Sequence, residues 1–376
     1  MTKAAELAKM GEVLTNSQIG GRRNLIINGA MQVAQRGTSF TGVSNADYTL
    51  DRFESGSSGS ELVYDVEQST DAPSGFSNSY KVTVTTEETT LSAGDNMTVR
   101  YNFEGQDLQQ LKKGTSDAEK VTVSFYVKSS VASTYSLELF DQDNTRVHGQ
   151  KYTITSADTW EYKTITFDGD TSGSLDNDAN KSMRLQFWLD AGSEYTSGTQ
   201  STTWQANTAS ERVEQSTGFM TTANATWQLT GVQLEVGSQT TPFEHRSYGE
   251  ELALCQRYFQ TVDVTTSGGA HYLGPVMTRA ANNNHVNFNC PVTLRAQPTL
   301  TVTDNGTLRF TANGAYADGS ANSVTIGGTT LSVHTQLSNF LLTFNFSSVS
   351  GVSTDTNRAY AGLMLNSGKF NLDAEF

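Results

Sequence analysis

Short segments of alternating apolar and polar residues run through the first two thirds of this 376-residue chain. Alternation with a period of two puts one set of side chains on each face of an extended strand. In residues 79–90, SYKVTVTTEETT, the side chains of Tyr80, Val82 and Val84 share a face. The other segments of this kind are 96–105, 120–130, 134–144, 160–170, 182–192 and 226–237. Because Gly, Asp, Asn and Ser turns separate them, they predict an all-β fold, a jelly-roll sandwich of two sheets.

Four stretches of the same region have other patterns. Residues 24–30, NLIINGA, are typical of a strand that runs into an Asn-Gly turn. The Ser/Gly-rich residues 56–60 predict a flexible turn, and residues 105–118 predict a turn or a short helix. Residues 192–218 are rich in Ser and Thr and form a loop long enough to have a function.

Two segments have the spacing of helices. Residues 3–14 place Leu7, Met10 and Leu14 on one stripe of a short N-terminal helix. Twelve residues are marginal as an isolated helix in water, so we expect this stripe to dock on a partner. Residues 247–260 carry apolar side chains at helical spacing and predict a linking helix between two domains.

Strand patterns return after residue 260 and predict a second, smaller C-terminal β-sandwich. They occur in residues 299–314, 323–333 and 340–351, and the first of these contains an Asp-Asn-Gly hairpin signal. The expected organisation is a helical arm at 1–22, a jelly-roll domain at 23–246, a linking helix at 247–260 and a tip domain at 261–376.

Charge and composition exclude several classes of protein. The 25 Lys+Arg against 39 Asp+Glu give a net charge of −14, whereas non-specific nucleic-acid binding needs a positive surface. No apolar run reaches the ~18 residues that a membrane-spanning helix needs, so no membrane insertion is expected. The two cysteines, Cys255 and Cys290, build neither a disulfide framework nor a CxxC metal pair. A soluble, acidic, β-rich protein is the class that remains.

An acidic turn supplies candidate metal ligands. Asp176, Asp178 and Asn180 form a DxDxN pattern, and alternating oxygen ligands suit a hard cation such as Ca²⁺. The pattern lacks the bidentate glutamate of a complete calcium loop. Acidic residues also stabilise turns without any metal, so both interpretations stay open.

Signals for catalysis are absent, whereas one aromatic residue indicates ligand binding. No GxSxG elbow occurs, and we expect solvated side chains rather than a catalytic pair among four carboxylates near strands, Asp51, Glu138, Asp190 and Glu235. The protein is therefore expected not to be an enzyme. Trp204 lies in the polar loop TQSTTWQAN with Tyr195 nearby, and aromatic faces stack on sugar rings. These two residues are the candidate glycan contacts.

Two blocks of the sequence resemble a known family. The first is RNLIINGAMQVAQRGTSF followed by YTLDRF, within residues 23–53. The second is WQLTGVQLEVGSQTTPFEHRSYGEELALCQRYFQ, at residues 227–260. Both resemble segments of bacteriophage virion-appendage proteins, the tail-fibre proteins of cyanophages among them. The ending LDAEF resembles the close of such proteins, so the three segments bracket most of the chain.

The resemblance also implies a fold and a metal site. The first domain of that family is similar to the galactose-binding-type jelly roll of carbohydrate-binding modules, whose opening and closing strands lie together beside a structural Ca²⁺. On this basis Asn28 and Glu235 are the implied calcium ligands. The alternative is a buried polar cluster that locks the ends of the jelly roll, because charges on strands are retained when they are paired. Its members would be Gln35, Arg36, Asp51, Arg52, Glu235, Glu244, His245 and Arg246.

A function follows from the resemblance as an expectation. It implies a structural subunit of a phage tail fibre, assembled in the host cytoplasm and carried on the virion, that attaches to host-surface polysaccharide. The expected partners are two further copies of the chain in a homotrimer and other virion proteins, bound through the N-terminal arm. The alternative is a purely structural spacer of the virion without receptor binding.

Overall fold

The computed structural model describes two compact units of the chain. Its described residues are 3, 23–263, 271–280, 283–304, 308–311, 332–338, 341–346, 359–365 and 369–376. The predicted N-terminal helix, with Leu7, Met10 and Leu14, lies outside them. One unit is Met1–Glu251 together with Phe376, and the other is Leu252–Glu375.

The first unit contains two six-stranded antiparallel sheets, which confirms the predicted all-β sandwich. Sheet A has the order β1-β3-β4-β12-β6-β9, and sheet B has the order β11-β8-β7-β10-β5-β2. The strands are β1 (Ser39–Phe40), β2 (Phe53–Ser58), β3 (Val63–Ser69), β4 (Ser79–Thr86), β5 (Asn96–Glu104), β6 (Val121–Ser129), β7 (Thr134–Asp141), β8 (Arg146–Thr153), β9 (Glu161–Phe167), β10 (Lys181–Ala191), β11 (Gln205–Ala206) and β12 (Thr226–Val236).

Aromatic and aliphatic side chains from the inner faces of both sheets form the core. Phe125 on β6 meets Phe187 on β10 edge to face, with ring centroids 5.1 Å apart. Phe187 also contacts Trp227 on β12, at 5.7 Å. Each buried aromatic ring removes a large apolar area from water, which is the main stabilising term of a sandwich. The period-two alternation of the sequence therefore selects the face of each strand that is buried.

The predicted opening strand at residues 24–30 is wrong, because no strand forms there. Two separate backbone hydrogen bonds join this segment to β12, from Leu25 to Leu234 at 3.0 Å and from Val232 to Gly29 at 2.9 Å, and side chains supply further bonds. The Asn24 Oδ1 atom accepts hydrogen bonds from the amides of Ile26 (2.9 Å) and Leu234 (3.1 Å). Asn28 adopts a left-handed conformation, with φ at 61°, that a continuing strand does not allow.

The predicted flexible turn at residues 56–60 is also wrong. Residues 56–58 belong to β2, which pairs with β5 in the register Gly56↔Thr98. Gly and Ser weaken a strand pattern in a sequence, but here the glycine leaves space that a neighbouring side chain fills. A Cβ atom at Gly56 would lie 2.1 Å from the Cζ atom of Arg100. The missing side chain therefore makes room for an arginine.

Short helices occur at the predicted positions of turns and linkers. The 3₁₀ turns Gly105–Asp107 and Gln109–Leu111 fall in the segment 105–118, and a third is Ala209–Glu211. An α-helical turn spans Ser193–Thr196, and a longer α-helix spans Tyr248–Gln256. Ser247 caps that helix by exchanging hydrogen bonds with Glu250, the reciprocal pattern of a capping box. Among the described residues no helix has the length and apolarity that crossing a bilayer requires.

The second unit is also built from antiparallel strands. One sheet has the order β13-β21-β16 and the other has the order β17-β20-β14-β15-β19-β18. The predicted hairpin within residues 299–314 is wrong, because β16 pairs with β21 whereas β17 pairs with β20 in the other sheet. The strands are β13 (Phe259–Asp263), β14 (His271–Ala280), β15 (Asn283–Asn289), β16 (Thr299–Asp304), β17 (Leu308–Thr311), β18 (Ser332–Ser338), β19 (Leu341–Phe346), β20 (Ala359–Leu365) and β21 (Lys369–Asp373).

A polar cluster joins the start of the first unit to its end. Arg246, whose side chain is 9% exposed, donates to the carbonyl oxygens of Asn24 and Ile26 and pairs with Glu251 at 3.3 Å. Glu244 accepts a hydrogen bond from the Asn24 amide at 2.7 Å. We call Asn24, Ile26, Glu244, Arg246 and Glu251 the closing cluster. Of the eight residues of the predicted lock, Glu244 and Arg246 belong to this cluster, whereas Glu235 bonds Gln233 and Thr241.

Asp51 extends this lock from inside the molecule. Its carboxylate accepts a hydrogen bond from the Gln35 amide at 2.7 Å, and its carbonyl oxygen accepts one from Asn28 Nδ2 at 3.0 Å. Burial raises the pKa of Asp51 above its ordinary value. His245 is placed differently, because its ring lies against those of Phe243 and Phe76, 4.9 Å and 5.4 Å away.

Arg246→Met is expected to lower the free energy of unfolding by about 3 kcal/mol, since it leaves Glu251 and two carbonyl oxygens without their buried donor. Urea unfolding followed by circular dichroism measures the loss. Lys120→Ala is the control, because the ion pair of Lys120 with Asp168 is exposed at both ends, 56% and 60%. Such a pair contributes about 0–1 kcal/mol. Equal losses in the two variants would contradict a structural role for the closing cluster.

Candidate functional site

The outer face of sheet B carries polar and charged side chains where a solvated strand face was expected. Three successive rungs cross its neighbouring strands in register. The first rung contains Gly56, Thr98, Trp188, Ser136 and Lys151; the second contains Glu54, Arg100, Gln186, Glu138 and Gly149; the third contains Asn102, Arg184, Phe140 and Val147. We call these residues, with the loop residues Tyr48, Tyr195 and Arg212 that contact them, the polar face.

One half of the polar face is organised by an arginine–glutamate pair on adjacent strands. Arg100 Nη1 lies 3.2 Å from Glu54 Oε1, over the space left by Gly56. The Asn102 amide, which is fully buried, donates to Glu54 Oε2 at 2.6 Å and to the Tyr48 hydroxyl at 2.9 Å. Glu54 is therefore held on both oxygens, and its orientation is fixed before any ligand arrives.

The other half is organised by a second arginine–glutamate pair. Arg212 donates to both oxygens of Glu138, from Nε at 2.9 Å and from Nη2 at 2.6 Å. Its guanidinium lies over the rings of Trp188 and Phe140, 4.8 Å and 5.1 Å from their centroids. Burial disfavours the charge, but Glu138 outweighs that effect and raises the pKa of Arg212. These contacts fix the loop that carries Arg212 against the polar face.

The centre of the polar face, between the two pairs, retains unused hydrogen-bonding groups. Gln186 is 1% exposed, and its buried Oε1 atom has no hydrogen-bond partner among the described residues. Arg184 donates from Nε to Asn102 Oδ1 at 3.1 Å. Within the described part of the chain no carboxylate lies within ion-pair distance of Arg184. The polar face thus combines fixed carboxylates and amides, a spare guanidinium and aromatic rings, the groups that bind sugar hydroxyls and sugar faces.

Of the two predicted glycan contacts, the structure brings only Tyr195 to this face. The Tyr195 ring packs on Trp188, with centroids 5.2 Å apart. Trp204 instead meets His148, which faces the core from β8, at 5.6 Å. The Trp204 indole donates to the Asp168 carbonyl at 2.7 Å. Trp204 therefore covers an edge of the sandwich and is separate from Tyr195.

Beneath Trp204 lies a buried charge network. Lys113, 4% exposed, pairs with Asp141 and, at 2.9 Å, with Asp170. Arg146 binds Asp170 through Nε at 2.8 Å and Nη2 at 3.0 Å. The Trp204 ring lies 5.1 Å from the Lys113 ammonium. These contacts tie three loops together, which gives Trp204 a structural role.

A cavity of about 460 Å³ beside this network is a weaker candidate than the polar face. Both of its lysines are engaged, Lys113 by two aspartates and Lys112 by Glu119 at 2.7 Å. Its lining therefore offers few free groups to a ligand. The lining residues are Leu108, Gln109, Lys112, Lys113, Thr115, Asp117, Ser174 and Leu175.

The residues predicted to bind calcium from the DxDxN pattern make hydrogen bonds within their own loop and to the turn between β7 and β8. Asp178 accepts from the Asn180 amide at 2.8 Å, and the Asp176 amide donates to Asp143 at 3.0 Å. No group of three or more His, Cys, Asp or Glu side chains suited to a metal occurs in the described ranges. Calcium binding at this loop stays a prediction.

Asn28 and Glu235, the ligands implied by the resemblance, have separate partners. Asn28 accepts from the Val33 amide at 2.9 Å, whereas Glu235 accepts from Gln233 at 2.8 Å and from Thr241. The other carboxylates considered at the sequence level are also apart. Asp190 accepts a hydrogen bond from the Met220 amide at 2.9 Å, whereas Gln35 holds Asp51 and Arg212 holds Glu138. None of these carboxylates is bonded to another.

Comparison with known proteins gives similarity to solved structures only. No protein-family model and no curated protein matches the chain. The enzymatically active domain of bacteriophage CBA120 tailspike protein 4 aligns at 10% identity and a TM-score of 0.29, over 52% of this chain and 21% of that one. TmCBM61 in complex with β-1,4-galactotriose aligns at 8% identity and a TM-score of 0.29, over 57% and 99%.

A family 11 carbohydrate-binding module of a Clostridium thermocellum cellulosomal cellulase aligns at 14% identity, with a TM-score of 0.28, over 55% of this chain and 98% of that one. The matched part of the present chain thus spans about a fifth of the tailspike chain. The function of the polar face has to be inferred from its own side chains.

The network under Trp204 predicts a loss of stability in acid. Burial opposes the charge of Asp170, but hydrogen bonds from Arg146 and Lys113 outweigh it and lower its pKa. A lowered folded-state pKa means that the stabilisation is present above the unfolded value of about 3.9 and is lost as the pH falls through the folded value. Urea unfolding between pH 7 and pH 3 should show a smaller acid loss in Asp170→Asn than in the wild type. Identical slopes below pH 4 would contradict this.

Proposed function

We propose that this chain is a carbohydrate-binding structural subunit of a phage virion appendage, and that the polar face of sheet B binds the glycan. The observation that carries the binding function is the buried Gln186 amide, whose Oε1 atom lacks a partner between two fixed arginine–glutamate pairs. A buried acceptor without a donor costs free energy, so folding alone gives no reason to keep it there. A sugar hydroxyl that reaches Gln186 after the side chains covering it move aside would supply the missing donor.

The shape of the polar face agrees with an extended ligand. Its second rung runs across adjacent strands, which lie about 4.8 Å apart in a sheet. That rung carries three charged groups and one amide, in the order Glu54, Arg100, Gln186 and Glu138. Aromatic side chains border it, with Tyr48 at one side and Trp188 covered by Tyr195 at the other. Successive sugar units of a chain would meet successive strands.

The role in a virion is supported by the sequence blocks at 23–53 and 227–260, which resemble virion-appendage proteins. In this proposal the chain assembles as a homotrimer, and the N-terminal arm binds other virion proteins. Weak contacts to single glycans would gain by avidity on such an assembly. A spacer without receptor binding is the second candidate, since the same blocks build the closing cluster, which has a structural role.

We also propose binding without cleavage of the glycan. Glu54 and Glu138 lie on the same rung, but Arg100 and Arg212 engage them respectively. A glycosidase needs one carboxyl group that is free to donate a proton and a second that attacks or activates water. Incubation of the protein with a bound polysaccharide is accordingly expected to release no reducing ends.

Gln186→Leu is expected to weaken glycan binding by about tenfold or more while leaving the free energy of unfolding unchanged or higher, because it removes an unpaired buried acceptor. Binding is measured by adsorption to host-cell polysaccharide and on a glycan array, and stability by urea unfolding. Tyr162→Ala is the control: Tyr162 is 48% exposed on β9 of sheet A.

Two outcomes of this comparison count against the polar face. If Tyr162→Ala loses binding and Gln186→Leu retains it, the site lies on the other sheet. A folded wild-type protein that adsorbs to no glycan favours the spacer. Trp204→Ala is a poorer test, because removing the indole uncovers the Lys113 network.

Light scattering coupled to size-exclusion chromatography tests the assembly. The expected result is three chains, since phage fibres of the resembled kind are trimers. A monomer of 40.8 kDa at micromolar concentration would contradict the trimer. A version that begins at residue 23 shows whether the arm with Leu7, Met10 and Leu14 is needed, because its loss would then yield monomers.

A further inference from the structure

The charges of the polar face do not cancel. Glu54 pairs with Arg100, Glu138 pairs with Arg212, and Lys151 pairs with Glu214 at 2.9 Å. After these pairs are formed, the guanidinium of Arg184 remains as a local excess of positive charge. This excess lies in a chain whose net charge is −14.

The surroundings of Arg184 disfavour its positive charge when no ligand is bound. Its side chain is partly buried, and both burial and the nearby charge of Arg100 lower its pKa. Asn102 holds its Nε atom at 3.1 Å, and Asn102 is itself fixed by Glu54 and Tyr48. The guanidinium is therefore oriented by a chain of hydrogen bonds, while no described residue accepts a hydrogen bond from its two Nη atoms.

We propose that the glycan bound by the polar face carries carboxylate groups, as uronic acids do, and that Arg184 binds one of them through its Nη atoms. This inference rests on the glycan-binding function proposed above. A carboxylate matches the planar fork of a guanidinium and forms two parallel, charge-assisted hydrogen bonds with it. Neutral sugar hydroxyls would leave the charge of Arg184 uncompensated.

The neighbouring groups complete a site for such a sugar. Gln186 is adjacent to Arg184 on β10 and on the same face, so its unpaired Oε1 lies one rung from the guanidinium. Phe140 is opposite Arg184 on β7 and is partly exposed. An acidic sugar whose carboxylate binds Arg184 would thus have a hydroxyl acceptor on one side and an apolar ring on another.

Matched pairs of polysaccharides test this proposal. The probes are polygalacturonate and alginate, each beside the same polymer after chemical reduction of its carboxyl groups to alcohols. Affinity electrophoresis and calorimetry with the full chain are expected to show binding of at least one uronate polymer and a loss of about 10- to 100-fold for its reduced form. Dextran sulfate controls for attraction by charge alone.

Variants of Arg184 assign the effect to this residue. Arg184→Gln is expected to lose the preference for the native polymer over the reduced one, and Arg184→Lys to recover part of it, because lysine keeps the charge but not the fork. Lys81→Gln is the matched control, since Lys81 is a partly exposed cation on β4 of sheet A that pairs with Glu67. Arg184→Gln should also leave the unfolding midpoint unchanged or raise it; if it unfolds the protein, Arg184→Lys supplies the comparison.

The outcomes separate this inference from the function on which it rests. Equal binding of native and reduced polymers, or binding of neutral glycans alone, overturns the carboxylate preference and leaves glycan binding intact. Binding to no polymer and to no glycan on the array overturns both. Binding of dextran sulfate by the wild type as tight as that of the uronate polymer, with uronate binding unchanged in Arg184→Gln, shows attraction by charge alone and overturns the role of Arg184.

Discussion

The side chains of strand β10 alternate between two environments, the apolar core and the outer face of sheet B. Leu185, Phe187 and Leu189 enter the core, while Arg184, Gln186 and Trp188 point away from it. A shift of one residue in its pairing with β5 or β7 would bury an arginine in the core and expose phenylalanine. The register of sheet B is therefore fixed by hydrophobic burial. The same register aligns the polar face rung by rung, so its side chains take their positions from the core.

The alternation of the sequence was sufficient to predict seven strands of the two sheets, among them β5, β10 and β12. It missed β3 and β8, although Tyr64 and Tyr152 are buried there. It also failed in residues 24–30, where side chains replace most backbone pairing, and in β2, which contains Gly and Ser. The polar face was missed for a related reason. Glu54 and Arg100 meet only because β2 pairs with β5, and no local pattern in residues 56–60 indicates that pairing.

The predicted ligand residues show which features of a binding site can be predicted from a sequence. Trp204 stood out because its neighbours in the chain are polar, but its neighbours in space are His148 and Lys113, contributed by distant segments. Tyr195 lies on the polar face because its ring packs on Trp188. Arg184 and Gln186 looked like ordinary solvated strand residues. Their distinctive property is a missing partner, which is a feature of three-dimensional contacts and has no signature in a single sequence.

The closing cluster has a mechanical consequence. Asn24 and Arg246 lie at the two ends of the first unit's chain and are bonded to each other, so the chain enters and leaves at one place. A pull on the flanking segments would load these few contacts first, and the twelve strands of the two sheets would lie outside the path of the force. The strands of both sheets would then keep their pairing under such a load, and the polar face would keep its shape.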